Sequence, residues 1–163
     1  MAISDQEIDT GNSAVFQANG TGAAYADKIL AAVRTLAPGE KAVLSWVAKT
    51  GSAGTIEKSI RVILLNQAGT QRARIDLLKA ANGLVHIAPL MLSSSWYCGQ
   101  QIAVGADTVK MKIEMDTSST KFYYYNNGWQ LIYSLNIPMD SLYSLEIWGN
   151  YDGWIDSMKL EVW

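Results

Sequence analysis

The chain has 163 residues, 49% of them in the apolar AVILMFWYC set and 17% charged, with a formal net charge of −2. That apolar load excludes a disordered chain, and the length suits one domain with its own core. Lys and Arg are scattered without a run, which argues against nucleic acid as a partner; a single cysteine, Cys98, excludes an intrachain disulfide and a Cys-built zinc site.

In chain order, "MAISDQEIDTGNS" has neither the basic nor the apolar region of a signal peptide. No run approaches the ~20 apolar residues of a membrane span. The expectation is synthesis in a cytoplasm and no membrane partner, with a virus particle released by lysis as a route to an exposed surface. Residues 1–24 read as an N-terminal arm or edge strand. In "AAYADKILAAVRTL", Tyr25, Ile29, Val33 and Leu36 could share one helix face. A strand starting near Ala32 fits equally, so a short helix over 25–36 stays open. The turn "APGE" leads into "KAVLSWVAK", a strand whose Trp46 belongs in the core. "SIRVILLN" is apolar on both faces and reads as a central strand. "RARIDLLK" and "GLVHIAP" follow, with the turns "NQAGTQ" and "AANG" between them.

"DTVKMKIEMD" alternates: Val109, Met111, Ile113 and Met115 face one way, Lys110, Lys112, Glu114 and Asp116 the other. "KFYYYNNGWQL" reads as a hairpin with Asn127-Gly128 in a type I′ turn, where both residues take positive φ. That register pairs Tyr125 with Gln130, Tyr124 with Leu131 and Tyr123 with Ile132. Phe122, Tyr124, Trp129, Leu131 and Tyr133 then form a core face. Lys121, Tyr123, Tyr125, Gln130, Ile132 and Ser134 form the other, wet or interfacial one. A three-residue loop from Asn126 would change these cross-strand partners. Finally, "LYSLEIW" and "WIDSMKLEVW" flank "GNYDG" as a hairpin with a five-residue loop. About eight to ten short strands at this turn spacing predict an all-β, two-sheet antiparallel sandwich, one domain over 1–163.

The last third resembles the concanavalin A-like, laminin-G-like jelly-roll superfamily. "TKFYYYNNGWQLI" matches its strand leading to an Asn-Gly hairpin. "YSLEIWGNYDGWIDSMKLEVW" matches an apolar strand followed by a terminal strand with an Ile-Asp step. "KAVLSWVAK" and "RVILLN", as paired strands before a meander, extend the resemblance to about residues 40–163. "TLAPGEKAVLSWVAK" also resembles the Pro-Gly strand entry of galactose-binding-like carbohydrate-binding modules. Both families are two-sheet β-sandwiches that often bind glycans. The resemblance therefore implies a jelly roll and a glycan partner.

Three chemistries are worth placing. Glu114 and Asp116, two apart on a strand, share one face, as the carboxylates of a retaining glycosidase would. The run of three alternating acids seen in some jelly-roll glucanases is incomplete, because position 118 is Ser118. A solvated face with Lys110 and Lys112 is the plainer reading, and no enzyme is expected. Asn150, Asp152 and Asp156 gather the oxygen donors that Ca²⁺ favours, yet turns use Asx residues for local reasons, so no metal or other cofactor is expected. His86 reads as a strand residue, and Cys98 as a small buried one.

Ring stacking is the third. Sugars pack their C–H faces on rings and need a few placed polar groups nearby. The expected ligand contacts are Trp96, Tyr97, Tyr123, Tyr125, Asn127, Gln130, Asn150, Tyr151 and Asp152. Gln100, Gln101, Asn126, Trp148 and Trp154 stand near them, with Trp154 sharing parity with core Met158. The leading expectation is a lectin-like recognition or display module, a virion component touching glycan or neighbouring protein, in a homo-oligomer or larger assembly. The alternatives are a purely structural decoration subunit, whose rings are protein interface, and a small glycan-cleaving enzyme.

Overall fold

The computed structural model describes residues 3–5, 14–17, 23–51, 58–150 and 153–163. It contains fourteen strands: β1 (Ile3–Asp5), β2 (Ala14–Gln17), β3 (Ala23–Arg34), β4 (Lys41–Lys49), β5 (Lys58–Leu65), β6 (Arg72–Lys79), β7 (Val85–Leu92), β8 (Trp96–Cys98), β9 (Ile102–Val104), β10 (Thr108–Asp116), β11 (Thr120–Tyr125), β12 (Trp129–Leu135), β13 (Leu142–Asn150) and β14 (Trp154–Val162). They form two antiparallel seven-stranded sheets. The first runs β1-β14-β4-β10-β11-β12 with β2 also on β14; the second runs β3-β13-β5-β6-β7-β8 with β9 also on β7. The all-β sandwich expected from the strand pattern is what forms.

Alternation makes the core. Ala42, Leu44, Trp46 and Ala48 of β4 lie level with Met115, Ile113, Met111 and Val109 of β10, and all are buried. Ile60, Val62 and Leu64 answer them from β5, with Ile75 and Leu77 of β6 and Leu145 and Ile147 of β13. Each fully buried Val, Leu, Ile or Met among them contributes about 1.5–3 kcal/mol. Trp46, only 1% exposed, is a core residue as its sequence position predicts.

Residues 25–36 form no helix; 25–34 belong to edge strand β3, bonded to β13, and no helix occurs among the described residues. A repeat of four suits a helix face and, being even, one strand face as well. The register places Tyr25 opposite Trp148 and Ile29 opposite Ser144, then jumps, so that Arg34 meets Leu142. The sequence marks of the helix and the strand were the same; pairing with β13 decides.

Two expected pairings do not form. β13 and β14 are not a hairpin: β13 lies between β3 and β5, and β14 lies on β4 in the opposite sheet. The chain therefore changes sheet between the end of β13 and the start of β14. Gly153 allows this, because a Cβ there would stand 2.3 Å from Ile60 Cδ1 and 3.0 Å from the Lys49 carbonyl oxygen. Likewise β4 and β5 are in opposite sheets rather than paired with each other. The continuous apolar run of β5 is explained by its place in the middle of its sheet, where even outward-facing Ile63 and Leu65 are covered.

Loops at one end are tied together. Buried Asn66 donates its side-chain amide to both oxygens of Asp140, at 3.1 and 3.2 Å, and accepts from the Gln71 backbone N–H. Gln71 in turn donates to the Pro138 carbonyl and accepts the Asp140 N–H. This braces the β5–β6 turn against the β12–β13 connection.

Candidate glycan-binding face

The β11–β12 hairpin closes through Asn126, Asn127 and Gly128, with positive φ at Asn127 and Gly128 and the Asn126 N–H donating to the Gly128 carbonyl. Tyr125 consequently pairs with Trp129 and Tyr123 with Leu131, while a bulge at Ile132 restores Phe122 opposite Tyr133. The two-residue register is thus corrected. The third loop residue brings Trp129 and Leu131 to the outer face, beside Tyr123 and Tyr125. The bulge sends Tyr133 back to the core. Gln130, expected with those tyrosines, is level with Tyr124 instead, and its side-chain amide reaches the Gly128 carbonyl at 3.4 Å.

The outcome is a ring platform on the outside of the first sheet. Tyr125 is 49% and Leu131 55% exposed. Tyr125 and Trp129 meet edge to face at 5.5 Å. Lys112 Nζ stands 4.5 Å from the Trp129 ring centre and 4.7 Å from that of Tyr123; Lys110 Nζ is 5.5 Å from Trp129 and 5.8 Å from Tyr125. Cations at this range are held by the ring quadrupole. Burial pushes the Tyr123 hydroxyl above its ordinary value, with the Glu114 charge adding to it. Beside the platform, Tyr124, Tyr125 and Asn126 face Gly105, Ala106 and Thr108 across a cleft of about 290 Å³. The cleft joins the hairpin tip and Tyr125, while the Lys110 and Lys112 ammonium groups lie over the platform rings.

Glu114 and Asp116 do not form an acid–base pair. Glu114 is bridged to Lys112 at 2.6 Å and to Lys41 at 3.5 Å. Burial alone would raise its pKa, but the hydrogen bonds and charges of Lys112 and Lys41 outweigh it and hold the carboxyl below its ordinary value. Asp116 accepts the backbone N–H groups of Ser118 and Ser119 at 2.8 Å, which lowers its pKa too. A general acid needs the opposite shift.

The other expected contacts are dispersed. Trp96, 53% exposed, is on the outer face of the second sheet, with the Arg74 guanidinium 5.8 Å from its ring centre. Tyr97, next in the chain, turns inward and packs against the core. Tyr151 and Asp152, and the side chain of Asn150, lie outside the described residues. Asp156 of the same stretch accepts its neighbour Ser157 N–H at 2.6 Å. Among the described residues no three His, Cys, Asp or Glu cluster as a metal site would require. Trp154 is not core: two residues at Ser157 and Met158 face one on β4, and this bulge flips parity, so Trp154 pairs with outward Lys49. Cys98 is exposed, not buried, because short edge strand β8 turns it outward. His86 is half-buried on β7; it stands four residues from Leu90, the partner of Cys98, about 13 Å along the strand. The two therefore form no catalytic pair.

Sequence reasoning missed Trp129, Lys110 and Lys112 as parts of the face. The lysines were legible as outward residues of β10, but nothing in the sequence placed a tryptophan over them until the loop length was known.

No family model and no curated protein matches the chain. Solved structures do. The CBM2 module of the evolved Dit of Lactobacillus casei BL23 phage J-1 superposes with a TM-score of 0.57 at 10% identity, over 80% of this chain and 67% of that one. The legume lectin-like domain from Entamoeba histolytica gives 0.55 at 13% identity, over 90% of this chain and 78% of its own. SCLam, a non-specific endo-β-1,3(4)-glucanase of family GH16, gives 0.56 at 9% identity, over 74% of this chain and 57% of its own. The fold is the concanavalin A-like jelly roll, shared by lectin-like proteins and glycosidases alike.

Proposed function

We propose that the protein is a non-catalytic, lectin-like recognition module that stacks glycan on Tyr125 and Trp129, with Tyr123, Asn126 and the cleft beside them completing the contact. The observation that carries this is the exposure of Tyr125 at the hairpin tip, with half-buried Trp129 edge to face against it: together they bring stacking surface that does not serve the core. The absence of an acid–base pair at Glu114 and Asp116 supports the non-catalytic reading, and the likeness to a phage Dit module supports placement on a phage particle.

A glycan array read at high protein concentration tests it. Tyr125→Ala and Trp129→Ala should each remove binding while leaving thermal stability nearly unchanged. Binding retained by both variants would refute the assignment. The second reading, a structural assembly subunit, is favoured by Ile29 and Val33, exposed on edge strand β3. A silent array together with a tight oligomer by light scattering would select it.

A further inference from the structure

The outer face of the second sheet carries a feature that the hairpin platform does not use. Pairing aligns Tyr25, Trp148, Arg61, Asp76 and Ala88 in one row across β3, β13, β5, β6 and β7. In the next rows Arg74 is level with Leu90, and Arg72 with Leu92 and Trp96. Asp76 is only 4% exposed although it points out of the sandwich. The arginines around it provide the cover. Arg74 donates from Nη2 to Oδ2 at 3.1 Å, and its Nε lies 3.0 Å from Oδ1, out of line for a hydrogen bond. Arg61 touches the same Oδ1 through Nε at 3.5 Å.

One carboxylate cannot satisfy this set. A guanidinium has five N–H donors. Arg61 finds no other acceptor among the described residues, and its side chain is 34% exposed. Arg72 Nε is buried with no partner. The remaining acid of the strip, Glu146, stands level with Ile63 and is reached by the Trp148 indole N–H at 3.4 Å. Donors thus outnumber acceptors in the middle, while exposed indoles stand at both ends, Trp148 at 43% and Trp96 at 53%. From β13 to β8 is four strand spacings, about 19 Å.

We propose that this strip is a second binding site, for a chain of carboxylate-bearing sugars such as an oligouronate, with Trp148 and Trp96 stacking on sugar rings and Arg61 and Arg72 receiving a carboxylate. Guanidinium forks match planar carboxylates, and the partial cover strengthens the contact. Trp96, isolated from the hairpin rings, acquires a role here. The site faces away from the platform and does not depend on it.

Titration calorimetry with tetragalacturonate and with its fully methyl-esterified form tests the assignment. The acid should bind, and the ester, alike in stereochemistry but uncharged, at least about tenfold more weakly, one charge-assisted contact or more being lost. Arg61→Gln should weaken the acid by a similar factor and leave the ester unchanged. Trp96→Ala should weaken both. The double variant Tyr125→Ala, Trp129→Ala should not alter tetragalacturonate binding, which separates this site from the hairpin. If Arg61→Gln melts early, Arg72→Gln provides the same comparison. Equal affinity for acid and ester, no binding of the acid, or loss on removing the hairpin rings but not the arginine would each overturn the proposal.

Discussion

Single side chains here act through close packing and through turns. Gly153 occurs where the chain passes from one sheet to the other, against Ile60 and the Lys49 backbone. The contact with backbone cannot be relieved by a rotamer change, so Gly153→Ala should destabilise by about 1–3 kcal/mol, read as a lowered urea midpoint with an unchanged slope. Trp46→Ala should cost more, about 3–5 kcal/mol, because the side chain is enclosed by both sheets. Asp116 is of another kind. Its carboxylate collects the N–H groups of Ser118 and Ser119 at the β10–β11 turn, and Ser119 is buried. Asp116→Ala leaves that donor unpaired and should cost about 1–3 kcal/mol. A glycanase role would make this substitution matter for turnover; the turn makes it matter for folding.

At the level of strands and hairpins, loop length governs which side chains reach solvent. The alternation of β10 and the Asn-Gly signal were readable, and both are present. The number of loop residues was not, because Asn-Asn-Gly suits a two- or a three-residue closure. That one residue transfers Trp129 and Leu131 from the expected core face to the exposed platform. Gly128 has φ near 127°, outside the region an L side chain readily adopts. Gly128→Ala should therefore strain the hairpin, costing about 1–3 kcal/mol, and should weaken glycan binding through displaced Trp129. Asn127→Gly, which keeps positive φ cheaply, should preserve both. Circular dichroism in the near ultraviolet, where the Tyr125–Trp129 pair contributes, distinguishes the two variants. Bulges explain the other misreadings: the extra residue at Ser157 turns Trp154 outward, against its parity with Met158.

For the molecule taken together, acid is the informative variable. Glu114 and Asp116 have folded-state pKa values below the ordinary 4.5 and 3.8. The folded state then binds fewer protons, so their stabilisation is complete above those ordinary values and is lost as pH falls through the lowered ones. Asp76 has the opposite sign. Burial raises it more than the Arg74 and Arg61 charges lower it, so its protonation returns stability as pH falls through the raised value. Urea midpoints followed from neutral to acid pH should decline below about pH 4.5. Replacing Glu114 by Gln and Asp116 by Asn together should flatten that decline.

The two-layer architecture could be read before any coordinates because burial on one side of a strand writes itself locally, as a period of two in "DTVKMKIEMD" and as unbroken apolarity in "SIRVILLN". So could Trp46 as core. Which strands are neighbours is not local. β13 and β14 are close in sequence and lie in different sheets, while β4 (Lys41–Lys49) and β14 (Trp154–Val162), far apart in sequence, share one. Pairing is selected by hydrogen bonds and core volume summed over the assembled layers, and no window of residues contains that sum. The same holds for both proposed binding faces: Arg61, Asp76 and Arg74 become a cluster, and Tyr125, Trp129 and Lys112 a platform, only when register brings separate strands level.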